Sequence, residues 1–148
     1  MPRKKTRVAE IVAAIAIRQA QRPVEVFFVD ESHCTNEPYV QRGWFRQGQQ
    51  GKVPTPTQRQ RATLFGALHL RTQRLYWKRA ARGTSKRFLE FLYQLHQRFP
   101  EALLILILDH ATMHKSRVVK RFLTQHDWVM LEHLALYSSE YNPTTPLF

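Results

Sequence analysis

Two apolar runs in this chain each end in an aspartate, and that repeated figure limits the fold more than any other feature. Val24–Asp30 reads V-E-V-F-F-V-D, and Leu103–Asp109 reads L-L-I-L-I-L-D. Each run has the length and the branched or aromatic content of a buried strand. A carboxylate leaving a buried strand is costly unless something cationic meets it. Two such carboxylates on neighbouring strands hold oxygen donors close together, which is how hard divalent cations are bound. The plainer role for either aspartate alone is to cap a turn with its own backbone. The pair predicts a sheet that delivers two acids to one edge.

The segments around these runs can be read in turn. Met1–Lys5 is a basic tail, and Val8, Ile11, Val12 and Ile15 follow at helical spacing, which predicts a short amphipathic helix ahead of Pro23. Glu10 interrupts the apolar part, so the segment is a helix and not an export signal. Tyr39–Arg46 is predicted as a strand weakened by Gly43, with Trp44 packed on the sheet. His33 and His110 are expected in loops. Residues 47–60, rich in Gly, Pro, Gln and Thr, read as an exposed loop. Arg61–Leu70 and Arg74–Arg79 are predicted strands, joined by a turn near Thr72 and Gln73. Thr84 or Ser85 caps a helix to about Phe99, with Phe88, Phe91, Leu92, Leu95 and Phe99 inward. Leu103–Leu108 lacks polar alternation and should be buried on both faces. Ser116 to about Gln125 is a second helix with Val118, Val119, Phe122 and Leu123 inward, and Trp128–Leu134 is a last strand. A meander followed by strand–helix alternation implies a mixed sheet with flanking helices.

Charge narrows the partner. The chain has 23 Lys and Arg against 11 Asp and Glu, a formal charge of +12. Between Glu37 and Glu90 there is no acidic residue, while twelve cations fall there. That pattern fits phosphate contacts better than a solvated face of mixed charge. Arg42, Arg46, Lys52, Arg59 and Arg61 are the candidates for phosphate contact within that stretch, and Lys115 lies beyond it. A length of 148 residues with 43% apolar content suits one compact unit, read as a basic tail and helix over 1–22 and a main domain over 23–148. Cys34 is the single cysteine, which excludes a disulfide within the chain and a Cys-rich zinc site, and suits a reducing cytoplasm. No apolar stretch is long enough to span a bilayer, so no membrane partner is expected.

Four pieces in order resemble a known family. They are F-F-V-D-E-S at Phe27–Ser32, Gly43-Trp44 ahead of the basic loop, L-I-L-D-H-A-T-M-H-K-S at Leu106–Ser116, and Y-S-S-E-Y-N-P-T-T-P-L-F at Tyr137–Phe148. Together they are similar to the catalytic domain of a DDE transposase of the mariner superfamily, in its bacterial insertion-sequence branch. The resemblance covers about residues 23–148. It implies an α/β fold of the ribonuclease-H-like kind, with a mixed sheet. It also implies double-stranded DNA (element ends and target) as partner, and a homodimer. The family's third catalytic acid falls two positions after Asn-Pro, where this chain has Thr145. The resemblance therefore implies a member cut short at the C-terminus, lacking the helix-turn-helix that usually precedes this domain.

On this reading Asp30 and Asp109 are the catalytic, metal-binding pair. Mg²⁺ or Mn²⁺ ions, about 3.5–4 Å apart in sites of this type, activate the attacking oxygen and stabilise the leaving one. Thr145 offers only a neutral hydroxyl, so the two-metal site is expected to be incomplete. Glu140 is the nearest acid to it in sequence. Glu31 and His114 are accessory candidates: Glu31 as an outer neighbour, His114 for a phosphate or for packing at a helix start. Three functions follow: a transposase domain that cuts and joins DNA, an inactive remnant that folds and binds DNA non-specifically, or another nuclease of the same fold. The Asn-Pro block and Gly43-Trp44 argue against the third.

Overall fold

The computed structural model describes residues 2–19, 21–38, 43–49, 51–108 and 115–133. Five strands and three helices are set out among them: α1 (Pro2–Gln19), β1 (Val24–Thr35), β2 (Arg61–His69), β3 (Leu75–Ala80), α2 (Ser85–Arg98), β4 (Leu103–Leu108), α3 (Arg117–Gln125) and β5 (Val129–His133). The strands form one sheet in the order β3-β2-β1-β4-β5. β1 runs antiparallel to β2 and parallel to β4, β2 is antiparallel to β3, and β4 is parallel to β5. This is the mixed sheet expected from a meander followed by strand–helix alternation.

Burial follows the strand period of two. Phe27 and Val29 of β1, with Phe65 and Ala67 of β2, pack against Phe88, Phe91, Leu92 and Leu95 of α2 and Val119 and Phe122 of α3. The opposite face is smaller: Val26, Leu103, Ile105 and Ile107 pack against Ile11 of α1. β4 lies between both layers, and all six of its residues are buried, as its unbroken apolar run requires. Thr84 caps α2 by accepting from the Arg87 N–H at 3.3 Å, and Ser116 caps α3 by accepting from the Val119 N–H at 3.3 Å. The Ser85 hydroxyl donates to Ser116 Oγ at 2.9 Å and ties the two helix starts together. The β2–β3 turn falls where expected, with Gln73 in the left-handed region at φ 57°.

Several expectations need correction. β1 does not end at Asp30 but continues through Thr35, because β2 pairs with it as far as Thr35↔Arg61. His33 is therefore a strand residue and not a loop residue. Gly43–Arg46, the described part of the strand expected over Tyr39–Arg46, lies outside any strand, and Trp44 is fully exposed instead of packed on the sheet. The helix expected after a basic tail already begins at Pro2. Val12 and Val118, both expected inward, are 59% and 56% exposed; each sits beside the buried position of its helix, not on it.

Candidate functional site

The site is built from the end of β1. Strand β4 is described as far as Leu108, level with Val29, whereas β1 runs on from Asp30 to Thr35. Asp30 is thus the first residue of β1 beyond the described end of its parallel neighbour. Strand alternation puts it on the face of Val26 and Phe28, the face that α1 covers further back. Its carboxylate is partly buried, and Oδ1 accepts from the Glu31 N–H at 2.8 Å. Across the antiparallel pairing stands Gly66, which presents no side chain to it. Asp30 is therefore a hard oxygen donor just past the described end of β4, with a glycine across the β2 pairing.

Glu31 points the other way. Its side chain is 11% exposed, and Oε1 lies 3.0 Å from His33 Nε2. The carboxylate can only accept, so Nε2 carries the proton. Nδ1 of the same ring lies 3.2 Å from the hydroxyl of the buried Thr63. A Cβ added at Gly83 would come within 2.5 Å of Glu31 Oε1, so a larger residue there would displace that carboxylate. Asp30 and Glu31, adjacent in sequence, serve opposite faces of the sheet and do not converge.

Beyond these two, the sequence-derived candidates divide by position. Asp109, His114, Glu140, Thr145 and Arg42 lie outside the described residues. Arg46, Lys52, Arg59, Arg61 and Lys115 are all exposed, and Arg59 pairs with Glu37 at 2.7 Å. Among the described residues no group of three or more His, Cys, Asp or Glu is placed to hold a metal ion. No helix among them is long and apolar enough to cross a membrane. Two polar features escaped sequence reasoning. One is the Glu31–His33–Thr63 chain. The other is the fully buried His69, whose Nε2 meets Glu25 at 2.6 Å at the far end of β1. The alternation of Glu31, His33 and Thr35 was the only available signal for the first.

Comparison with known proteins places this geometry. The DDE superfamily endonuclease family matches residues 25–148. An insertion element IS630 uncharacterized 39 kDa protein of Shigella sonnei is 30% identical over 138 residues, which cover 93% of this chain and 40% of that protein. The chain thus spans less than half the length of this relative. A pre-cleavage Mos1 transpososome is similar with a TM-score of 0.59 at 16% identity, covering 97% of this chain and 45% of its own. The Mos1 transposase paired-end complex with the left transposon end gives 0.56 at 20% identity, over 96% and 44%. The HTLV-2 integrase catalytic core domain in complex with magnesium gives 0.50 at 11% identity, over 76% and 62%. These likenesses establish the ribonuclease-H-like character of the mixed sheet.

Proposed function

The chain belongs to the DDE superfamily endonucleases, and from that premise we propose that it is the catalytic domain of an insertion-sequence transposase in the bacterial branch of the mariner superfamily. Its reaction is metal-assisted cleavage and transfer of DNA strands. The observation that carries the reading is the parallel register of β1 and β4, which sets Val29 level with Leu108. Asp30 and Asp109 are the residues that follow these two in sequence.

The donors fit a hard divalent cation: they are carboxylates, and one oxygen of the described one is steadied by a backbone N–H. Asp30 and Asp109 would hold Mg²⁺ or Mn²⁺, which when bound activates the attacking oxygen and stabilises the leaving one. Asp30 would meet that ion already oriented by the Glu31 N–H. Thr145 stands at the family's third acid position and weakens the set, with Glu140 the nearest acid in sequence. His114 belongs to the same segment as Asp109 and is assigned to phosphate contact. Double-stranded DNA is the partner, met by Arg42, Arg46, Lys52, Arg59, Arg61 and Lys115. The Mos1 transposase paired-end complex with its left transposon end supports that partner, and a homodimer belongs to the same proposal. The division into 1–22 and 23–148, and a cytoplasmic setting, complete the proposal.

Supercoiled plasmid tests it. With Mn²⁺ the chain should nick the plasmid, and both Asp30→Asn and Asp109→Asn should abolish nicking. Nicking that survives either substitution removes the aspartate pair. A wild-type chain that is inert, but nicks once Thr145→Glu is introduced, assigns this chain to the inactive-remnant reading while upholding the site.

A further inference from the structure

Asp30, Gly66 and Trp77 form one row across the sheet. Asp30 pairs with Gly66 of β2, and Gly66 pairs with Trp77 of β3. Directly opposed residues of paired strands share a face, so Trp77 stands on the face of Asp30. The rest of β3 agrees. Tyr76 and Ala80 pack into the core beneath α2, and Lys78 pairs with Glu90 of α2. Alternation leaves Leu75, Trp77 and Arg79 on the other side, and all three are exposed. Two strand spacings of about 4.8 Å put the Cα atoms of Asp30 and Trp77 roughly 10 Å apart.

Two properties of this row point to a ligand. Trp77 is 58% exposed, although it sits in the middle of a paired strand. β3 is held at that point without the indole, since the Trp77 carbonyl accepts from Gln94 Nε2 at 3.4 Å. A large aromatic side chain left to water on a fixed strand is a ready stacking surface. Gly66 lies inside a nine-residue strand, between the buried Phe65 and Ala67. Glycine weakens a strand interior and marks a place where another group comes close. Here it puts no side chain between the acid and the indole. One nucleotide spans such a row, its phosphate at the carboxylate and its base on the indole. We propose that Trp77 stacks on an unpaired base of the strand whose phosphate is held at Asp30. The site thereby selects positions where a base has left the duplex. This role rests on the DNA-processing reading above and adds to it a choice of DNA structure. A base inside a duplex is already stacked and must be extruded to reach the indole, which costs least at a mismatch, a bulge or a strand end. Base identity is not selected, because every base offers a π face.

Fluorescence anisotropy in EDTA tests the role with three labelled probes: a short single strand, the same strand made abasic throughout, and a blunt duplex. Trp77→Ala should weaken binding of the single strand roughly ten-fold to hundred-fold and leave the other two unchanged. Trp77→Phe, which keeps a stacking face, should retain most of the single-strand affinity. The control Trp44→Ala, fully exposed and outside any strand, should leave all three probes unaffected. Circular dichroism confirms that each variant folds. With Mn²⁺, a duplex carrying one bulged base should be nicked beside the bulge, and Trp77→Ala should lose that bias; where the wild type is inert, Thr145→Glu serves as the parent chain. Single-strand binding that ignores Trp77→Ala, an equal loss with the abasic strand, a Trp77→Phe as weak as Trp77→Ala, an equal loss in Trp44→Ala, or nicks placed without regard to the bulge overturns the role. EDTA keeps the binding arm independent of Asp30 and Asp109. Failure to bind any probe at low salt sinks the DNA-processing reading and this role with it. Binding that ignores Trp77 sinks the role alone, and binding that follows Trp77 in a chain that never nicks sinks the metal reading alone.

Discussion

Glu25 is kept ionised by its surroundings, and the balance can be read group by group. Burial on its own raises its pKa. Hydrogen bonds from Arg71 and His69, with the positive charge beside them, outweigh that and hold the carboxyl below the ordinary glutamate value. His69 is fully buried and stacks on Phe27 at 4.8 Å, so its Nε2 proton has no route to water and needs the Glu25 carboxylate as acceptor. Its Nδ1 is in hydrogen-bond contact with the Thr72 hydroxyl at 2.8 Å, which ties the β2–β3 turn to the start of β1. Because the folded pKa is depressed, the stabilisation is complete above the unfolded value of about 4.3 and is lost as pH falls through the lower folded value. Urea midpoints measured from neutral pH into that acid range should therefore fall less steeply for Glu25→Gln than for wild type. Glu25→Ala, which strands the His69 N–H, should cost about 1–3 kcal/mol at neutral pH. Equal acid dependence in wild type and Glu25→Gln would show that this pair contributes nothing to acid sensitivity.

Helices and strands differ in how plainly the sequence announces them here. β4 was legible from its unbroken run of Leu and Ile, and α2 from apolar residues at spacings of three and four ending at Pro100. The far half of β1 was not. Glu31, Ser32, His33, Cys34 and Thr35 carry no apolar alternation, and they are extended because β2 supplies their hydrogen-bond partners. Tertiary pairing outweighs local preference in such a segment. The Glu31–His33–Thr63 chain was hard to read for the same reason, since its members come from two strands that meet only through that pairing. Asp30 could be read because a charge at the end of an apolar run is conspicuous; its separation from Glu31 required the pleat. α1 shows the limit within one helix. Ile11 is 4% exposed against Val26, Leu103, Ile105 and Ile107, while its neighbour Val12 faces solvent, and helical spacing alone favoured both. Ile11→Ala should therefore destabilise the protein by about 2–4 kcal/mol, and Val12→Ala should stay within about 0.5 kcal/mol of wild type. Thermal melts of the two variants decide it. Equal small losses would mean that α1 does not cover this face in solution.

Charge acts on the molecule as a whole and gives two salt responses of opposite sign. A formal charge of +12 on 148 residues makes the folded chain repel itself, and its exposed ion pairs, such as Arg59–Glu37 and Arg22–Asp127, recover little of that in water. Salt at about 0.15 M cuts the range of such repulsion to roughly 8 Å. The free protein should therefore melt at a higher temperature as NaCl rises from low to physiological levels. The same increase should weaken duplex binding steeply, because each phosphate contact returns close to one counterion to solution. Substitutions at the exposed cations Arg46, Lys52, Arg59 and Arg61 should change the salt slope of binding and leave the metal requirement of nicking unaltered. A melting temperature that falls with salt would show that ion pairs outweigh net repulsion. A binding constant that ignores salt would remove phosphate contact as the reason for this protein's charge.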